Sequence, residues 1–69
     1  MEKVEIGKMI SERRRLLNVA QNDLCEMAGI SQHTLSAIEN GSGNPTLDTL
    51  TKILDILGID IDFKVRKLP

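Results

Sequence analysis

The sequence predicts an all-α domain of four short helices that ends in one β-strand. Four stretches carry apolar residues three and four positions apart, which gives each stretch one apolar helical face. Glycine, serine and proline separate these stretches and suit helix ends and turns. After the fourth stretch, apolar and charged residues alternate strictly, as in a strand with one buried face. We therefore divide the chain into a helical domain, residues 1–58, and a C-terminal strand and tail, residues 59–69.

The composition argues against several classes of function. Cys25 and His33 are the only cysteine and the only histidine, so neither an internal disulfide nor a cysteine–histidine metal cluster is expected. No carboxylate pair and no nucleophile with a neighbouring base indicates catalysis, so we expect a protein that is not an enzyme and needs no cofactor. The sequence has no apolar run long enough for a membrane span and no signal peptide, which predicts a cytoplasmic protein.

The charges are unevenly distributed along the chain. The net charge of −1 does not by itself favour binding to nucleic acid. However, Lys8 and the consecutive arginines 13–15 lie near the N-terminus, whereas Asp48, Asp55, Asp60 and Asp62 lie in the C-terminal part. This distribution predicts a basic side and an acidic side, and the alternative is an ordinary solvated charge run on the first helix.

The first two helices are predicted from their apolar residues. The first helix should run from about Glu5 to Leu17, with an inward face made of Ile6, Ile10 and Leu17. The second should run from about Ala20 to Ala28, with an inward face made of Leu24, Cys25 and Ala28. Ala20 offers no side-chain cap, so we expect a frayed start. Gly29 suits a tight exit from the second helix, and Ile30 can pack beneath the turn.

The third helix follows after a very short turn. Ser31 is a good N-cap, and the helix should extend to about Asn40 with Leu35 and Ile38 facing the core. Two helices joined by such a short turn must cross steeply. This arrangement is a helix-turn-helix, whose second helix commonly enters the major groove of DNA.

These residues resemble the helix-turn-helix of the phage repressor and Cro family, also called the XRE family. That family has a small residue in the first helix of the motif, a glycine in the turn and two apolar positions in the second helix. Cys25, Gly29, Leu35 and Ile38 meet these requirements in order, and the segments 21–24, 36–41 and 44–47 also resemble family signatures. The resemblance covers about residues 6–58 and implies a lambda-repressor-like four-helix domain that binds double-stranded DNA.

The resemblance also assigns two pairs of side chains. Arg14 and Glu39 occupy positions that often form a partly buried ion pair in this family, the alternative being two solvated charges. Gln21 and Gln32 match a pair of glutamines that pack together in the phage repressors, the alternative being two unrelated polar residues at helix starts. A glutamine in the first turn of the recognition helix can bind the N6 and N7 edge of adenine.

Other DNA contacts are predicted in and after the third helix. His33 and Ser36 can bind bases or phosphates, although a lone surface histidine often has no function. Ala37 is small enough for close approach or contact with a thymine methyl group. Thr34, Asn40 and Ser42 are better suited to phosphates, which set the position of the protein but not its sequence preference. Relatives often carry Lys or Arg in the loop 40–45, and its absence here predicts modest affinity for random DNA.

The fourth helix completes the predicted domain. Thr46 should cap it after Pro45, and Gly58 should end it at about Leu57. Its apolar stripe is wide enough to close the core and to leave some surface for another subunit, and it consists of Leu47, Leu50, Ile53, Leu54 and Leu57.

The tail is predicted to form a strand that pairs between subunits. Its apolar face consists of Ile59, Ile61, Phe63 and Val65, with charged residues between them. No second strand is found in the sequence, so we expect an antiparallel pair with a second copy, centred on Phe63, in which opposite charges face each other. The alternative is that the tail docks on its own domain or on a partner protein.

Two functions are compatible with these features. The first is a sequence-specific transcriptional regulator, a repressor, that binds a palindromic operator as a homodimer. The second follows from the tail, because a helix-turn-helix followed by a dimerising strand resembles the HipB-like antitoxins. That resemblance implies an antitoxin that binds a HipA-like kinase toxin and represses its own operon.

Overall fold

The computed structural model describes residues 1–69 and contains four α-helices. They are α1 (Lys3–Leu16), α2 (Gln21–Ala28), α3 (Gln32–Glu39) and α4 (Leu47–Leu57). These bounds agree closely with the predicted ones, although α1 begins earlier because Glu2 and Glu5 form a capping box at its start. None of the four helices combines the length and the apolar character needed to cross a membrane.

The core lies where the four helices meet. Helix α1 contacts α3 and α4, and α2 contacts the same two helices. The buried apolar side chains come from all four helices, and they are Ile10, Leu24, Cys25, Ala28, Leu35, Ile38, Ile53, Leu54 and Leu57. All nine were predicted from helical periodicity. Leu17, which was also predicted to face inward, is not among them, because α1 ends at Leu16 and the Leu17 side chain is exposed.

Helices α1 and α3 approach each other closely at Gly7. A methyl group added to Gly7 would clash with the carbonyl oxygen of Ile38 and lie 2.7 Å from that of Glu39. The backbone of α3 therefore packs directly against the backbone of α1. This contact fixes the depth at which α3 sits on the domain.

The predicted C-terminal strand is wrong. Residues 59–69 form no strand, and no other segment of the chain is a strand. Strand alternation requires a neighbouring strand whose backbone groups complete the hydrogen bonds, and the four-helix domain offers none. Ile59 instead completes the end of α4: its N–H donates to the Leu54 carbonyl at 2.9 Å, and its side chain packs against the core.

Candidate nucleic-acid interface

The turn between α2 and α3 fixes the relative orientation of these helices. Gly29 adopts the left-handed conformation with φ 68°, and the Ile30 N–H donates to the Cys25 carbonyl at 3.0 Å. Ile30 is half-buried against the core, as predicted. Ser31 then caps α3 by accepting a hydrogen bond from the Thr34 N–H at 3.1 Å. The start of α3 is thus held against α2 by backbone geometry and by a cap at the same time.

Polar side chains from α2 and α3 meet at the exposed start of this pair. Gln32 Nε2 lies 3.4 Å from Gln21 Oε1, and Ser36 Oγ lies 3.5 Å from the same oxygen. Both distances lie beyond the usual range of about 2.7–3.2 Å, so these hydrogen bonds are weak. Gln32 is exposed, and Gln21 and Ser36 are half-buried. The structure therefore brings together the two glutamines that the sequence singled out.

An ion pair lies beneath this polar group. Arg14 Nε donates to Glu39 Oε2 at 2.7 Å, and Arg14 Nη2 donates to Glu39 Oε1 at 3.0 Å, which makes the pair bidentate. Only 11% of the Arg14 side chain and 6% of the Glu39 side chain are exposed. Arg14 Nη1 also donates to the Val19 carbonyl at 3.0 Å. The predicted pairing of Arg14 with Glu39 is confirmed.

Gln21 connects the ion pair to the surface. Its Nε2 donates to Glu39 Oε1 at 3.1 Å, while its Oε1 faces Gln32 and Ser36. Burial alone would raise the pKa of Glu39, but the hydrogen bonds from Arg14 and Gln21 and the Arg14 charge outweigh it and hold that pKa below its ordinary value. Glu39 is therefore ionised at neutral pH. The link from Gln21 to Glu39 was not predicted, because no sequence pattern relates them.

The remaining predicted DNA contacts lie around this centre. His33, Asn40 and Ser42 are exposed, and Thr34 and Ala37 are half-buried. Two hydroxyls already have partners: Thr34 Oγ1 lies 2.8 Å from Ser31 Oγ, and Ser42 Oγ donates to the Ala37 carbonyl at 3.3 Å. No group of three metal-binding side chains is present in the structure. The exposed polar groups of α3 and the loop after it are mainly amides and hydroxyls, with one imidazole.

The arginines of α1 contribute less to a basic surface than their sequence suggests. Arg14 is buried in the ion pair, and Arg13 Nε donates to the Leu57 carbonyl at the end of α4, at 2.9 Å. Arg15 and Lys8 are exposed. Sequence reasoning missed the role of Arg13, since only the packing of α1 against α4 brings it to that carbonyl.

The four residues predicted to mediate dimerisation fall into two groups. Ile59 is half-buried against the core of its own chain, whereas Ile61, Phe63 and Val65 are exposed. Phe63 exposes 84% of its surface, although it is the only aromatic residue of the chain. Ile61 and Phe63 border an apolar groove of about 450 Å³ whose other walls include Met9 of α1 and Leu47 of α4.

Known sequences show which family shares these features. A family model described as helix-turn-helix matches residues 10–64. The CTXφ cryptic phage transcriptional repressor RstR of Vibrio cholerae is 34% identical over 86% of this chain and 53% of its own length. An uncharacterised HTH-type transcriptional regulator of Methanocaldococcus jannaschii is 39% identical over 71% of this chain and 74% of its own length. The PuuR regulator of Escherichia coli is 31% identical, and this chain spans only 30% of it.

Solved structures share the whole fold. A HipB variant in its complex with an O2 20mer superposes with a TM-score of 0.82 at 28% identity, over 97% of this chain and 93% of that one. The restriction-modification controller protein C.AhdI of Aeromonas hydrophila superposes with a TM-score of 0.78 at 24% identity, over 84% of this chain and 88% of that one, which supports the fold alone. The family model matches most of the chain, and the phage repressor relative and the helix pair described above agree with it. The chain therefore belongs to the XRE-type helix-turn-helix family of transcriptional regulators.

Proposed function

We propose that this protein is a sequence-specific DNA-binding repressor that acts as a homodimer on a palindromic operator. The observation that carries the proposal is the linked group of Gln21, Gln32 and Ser36 on the open side of α2 and α3. Gln32 lies in the first turn of α3, the part of a recognition helix that reaches base edges. The repressor relative and the similarity to a HipB chain in a complex with an O2 20mer support the same function.

The side chains of α3 divide into two proposed roles. Gln32 and His33, both exposed at the start of the helix, contact base edges, and Ser36 and Ala37 border the same surface one turn later. Thr34, Asn40 and Ser42 hold phosphates at the edges of the site. Gln21 supports Gln32 from the start of α2. Because α3 and the loop 40–45 contain no Lys or Arg, binding depends on these short-range contacts more than on general attraction to phosphate.

Dimerisation is proposed to occur through the apolar surface made by the groove and the tail. Ile61 and Phe63 are exposed and line the groove together with Met9 and Leu47, and Val65 is exposed further along the tail. Large exposed apolar patches mark sites of association. In a two-fold dimer, the recognition helices would sit about 34 Å apart, one turn of DNA, and would contact the two halves of a palindrome.

Selection of binding sites from random double-stranded DNA tests the proposal. We expect the protein to enrich one palindromic sequence. We expect Gln32→Ala to weaken binding to that sequence by about 1–3 kcal/mol and to leave binding to random DNA unchanged. Lys52→Ala is the control, because Lys52 is an exposed cation on α4 and its loss affects general electrostatics only. Binding without any sequence preference at low salt would refute the proposal.

The second candidate function is an antitoxin of a HipA-like kinase toxin. The specific observation in its favour is the similarity to HipB, which leaves only about two residues of this chain unmatched and therefore extends into the tail. The exposed tail would then contact the toxin. Co-purification with a kinase encoded by a neighbouring gene would support this function. If there is no such kinase gene and no complex with a kinase, a repressor without a toxin is favoured.

A further inference from the structure

The Gln21 amide lies between a buried carboxylate and the surface proposed to bind DNA. On its inner side, Gln21 Nε2 donates to Glu39 Oε1 at 3.1 Å. On its outer side, Gln21 Oε1 accepts from Gln32 Nε2 at 3.4 Å and from Ser36 Oγ at 3.5 Å. Four side chains from α2 and α3 are thus joined by hydrogen bonds that run from the buried Glu39 through Gln21 to Gln32 and Ser36.

The carboxylate fixes the direction of this connection. An ionised carboxylate only accepts hydrogen bonds, so Gln21 must turn its NH₂ group inward and its carbonyl oxygen outward. Only 6% of the Glu39 side chain is exposed, so its packing keeps the carboxylate in place between Arg14 and Gln21. The orientation of the Gln21 amide is therefore determined by the carboxylate that it contacts.

The outward oxygen of Gln21 in turn orients Gln32. Because that oxygen only accepts, Gln32 must present Nε2 to it, which leaves its second N–H and its Oε1 for a ligand. These two groups then follow each other in one fixed order along the start of α3. A donor beside an acceptor in that order matches the N7 acceptor and N6 donor of adenine, and the reversed order would not match the same base.

We propose that Glu39 is a specificity-determining positioning residue that sets the base preference of Gln32 through Gln21 without touching DNA. The inference rests on the proposed function, because it concerns how the DNA-binding surface selects its base. Ion pairing with Arg14 and orientation of Gln21 are separate tasks of the same carboxylate. They can be separated by substitution, because one needs a salt bridge and the other needs only an acceptor.

Two substitutions separate these tasks. Glu39→Gln keeps the shape of the side chain but replaces one acceptor oxygen with an NH₂ group, so the Gln21 amide can reverse. Arg14→Lys disturbs the bidentate pair but keeps the carboxylate and an opposing charge. Gln21→Leu is a third variant, which removes the connection and leaves the ion pair intact. The position that Gln32 contacts is the one whose base preference disappears in Gln32→Ala.

The first measurement is base preference at that position in selection from random DNA. For the wild type, we expect discrimination of about tenfold or more, as is typical of a bidentate base contact. In Glu39→Gln and in Gln21→Leu, we expect it to fall to about threefold or less, with Arg14→Lys unchanged. Wild-type preference in both Glu39→Gln and Gln21→Leu, or equal loss in Arg14→Lys, would overturn the inference.

The second measurement needs no DNA and therefore separates this inference from the proposed function. Hydrogen exchange of the Gln21 side-chain NH₂ is followed by NMR in the free protein, with the exposed Asn22 side chain as the reference. We expect slow exchange in the wild type and in Arg14→Lys, and exchange as fast as that of Asn22 in Glu39→Gln. Fast exchange in the wild type would refute the orientation of Gln21, whereas a protein with slow exchange that selects no DNA sequence would refute only the proposed function.

Discussion

At the scale of single residues, the carboxylate of Glu39 contributes both to the stability of the fold and to the arrangement of the candidate site. Glu39 lies at the end of α3, but its partners come from α1 and α2. Arg14 is 25 residues away in sequence, and its pairing with Glu39 was predictable only from a family resemblance. The additional partner, Gln21, was predicted as a neighbour of Gln32 and proves to contact both. The family resemblance therefore identified both pairs, but it did not show that Gln21 links one pair to the other.

The stability of the protein should depend on the ionisation of Glu39. Its pKa in the folded state lies below the ordinary value, so the ionised form stabilises the fold. This contribution is complete above about pH 5 and is lost as the pH falls through the folded-state pKa. At pH 7, we expect Glu39→Gln to lower the free energy of unfolding by about 3 kcal/mol, because Arg14 loses its charged partner.

Urea denaturation between pH 7 and pH 3 measures this dependence. We expect the wild type to lose stability more steeply than Glu39→Gln at the acidic end, so that the two curves converge. Glu12→Gln is the control, because Glu12 is an exposed carboxylate on α1, and its curve should follow that of the wild type. A constant difference between the wild type and Glu39→Gln across the whole range would contradict the assignment.

At the scale of elements, the helix ends explain why most of the fold was predictable. Ser31 and Thr46 cap α3 and α4 with their side chains, and Gly29 and Gly58 end α2 and α4 with positive φ. These local signals act within a few residues, so the sequence displays them directly. The tail has no such signal. Its alternating apolar and charged residues define two faces, but the chain has no second strand with which the tail could pair. The prediction of a strand failed for that reason.

The start of α2 is the one helix start in the motif without a side-chain cap. Ala20 has an extended backbone, with φ −71° and ψ 154°, which already suits a capping residue. We expect Ala20→Ser to raise the free energy of unfolding by about 1 kcal/mol and Ser31→Ala to lower it by a similar amount. Equilibrium urea denaturation at pH 7 measures both. If Ala20→Ser leaves stability unchanged, the first turn of α2 does not depend on its cap.

The close approach of α1 and α3 gives a second prediction at this scale. Gly7→Ala places a methyl group against the carbonyl oxygens of Ile38 and Glu39, so the two helices must separate. We expect Gly7→Ala to lower the free energy of unfolding by about 1–3 kcal/mol, because overpacking outweighs the better helix propensity of alanine. Thermal unfolding, followed by circular dichroism, measures the loss.

Gly29→Ala is the matched control for Gly7→Ala. No atom lies within 4 Å of the added methyl group at Gly29, so the cost there comes from the positive φ alone. We expect Gly29→Ala to lower the free energy of unfolding by about 1–2 kcal/mol, because alanine is strained at this positive φ. The helix spacing should change only in Gly7→Ala, and chemical shifts of Arg14 and Glu39 should report it. Unchanged shifts in Gly7→Ala would show that the helix contact relaxes elsewhere.

At the scale of the whole molecule, the apolar surface is distributed unevenly. The chain buries 12 of its 69 residues, which is a small core, and it leaves several large apolar side chains exposed. Met9, Leu47, Ile61 and Phe63 share the groove between α1, α4 and the tail. The molecule measures 45 × 22 × 19 Å, whereas the longest helix spans only about 21 Å, and every residue of the tail after Ile59 is exposed. A second copy would cover this surface and enlarge the small core.

The mass of the protein in solution tests whether this surface makes a dimer. We expect the full chain to be a dimer, and a chain that ends at Asp60 to be a folded monomer. The shorter chain keeps Ile59 and its hydrogen bond to Leu54, so the end of α4 stays intact. Phe63→Ser should dissociate the dimer, because it removes the largest exposed apolar side chain of the tail. Light scattering across a range of protein concentrations measures all three.

Met27→Ser is the control for these masses. Met27 exposes 56% of its surface on α2, outside the groove, so its substitution should leave the dimer intact. If the full chain is a monomer at every concentration, the exposed tail serves another protein, and the antitoxin function gains over the repressor that dimerises by itself. If the chain that ends at Asp60 is still a dimer, the contact lies on the helices, and the two recognition helices are spaced without help from the tail.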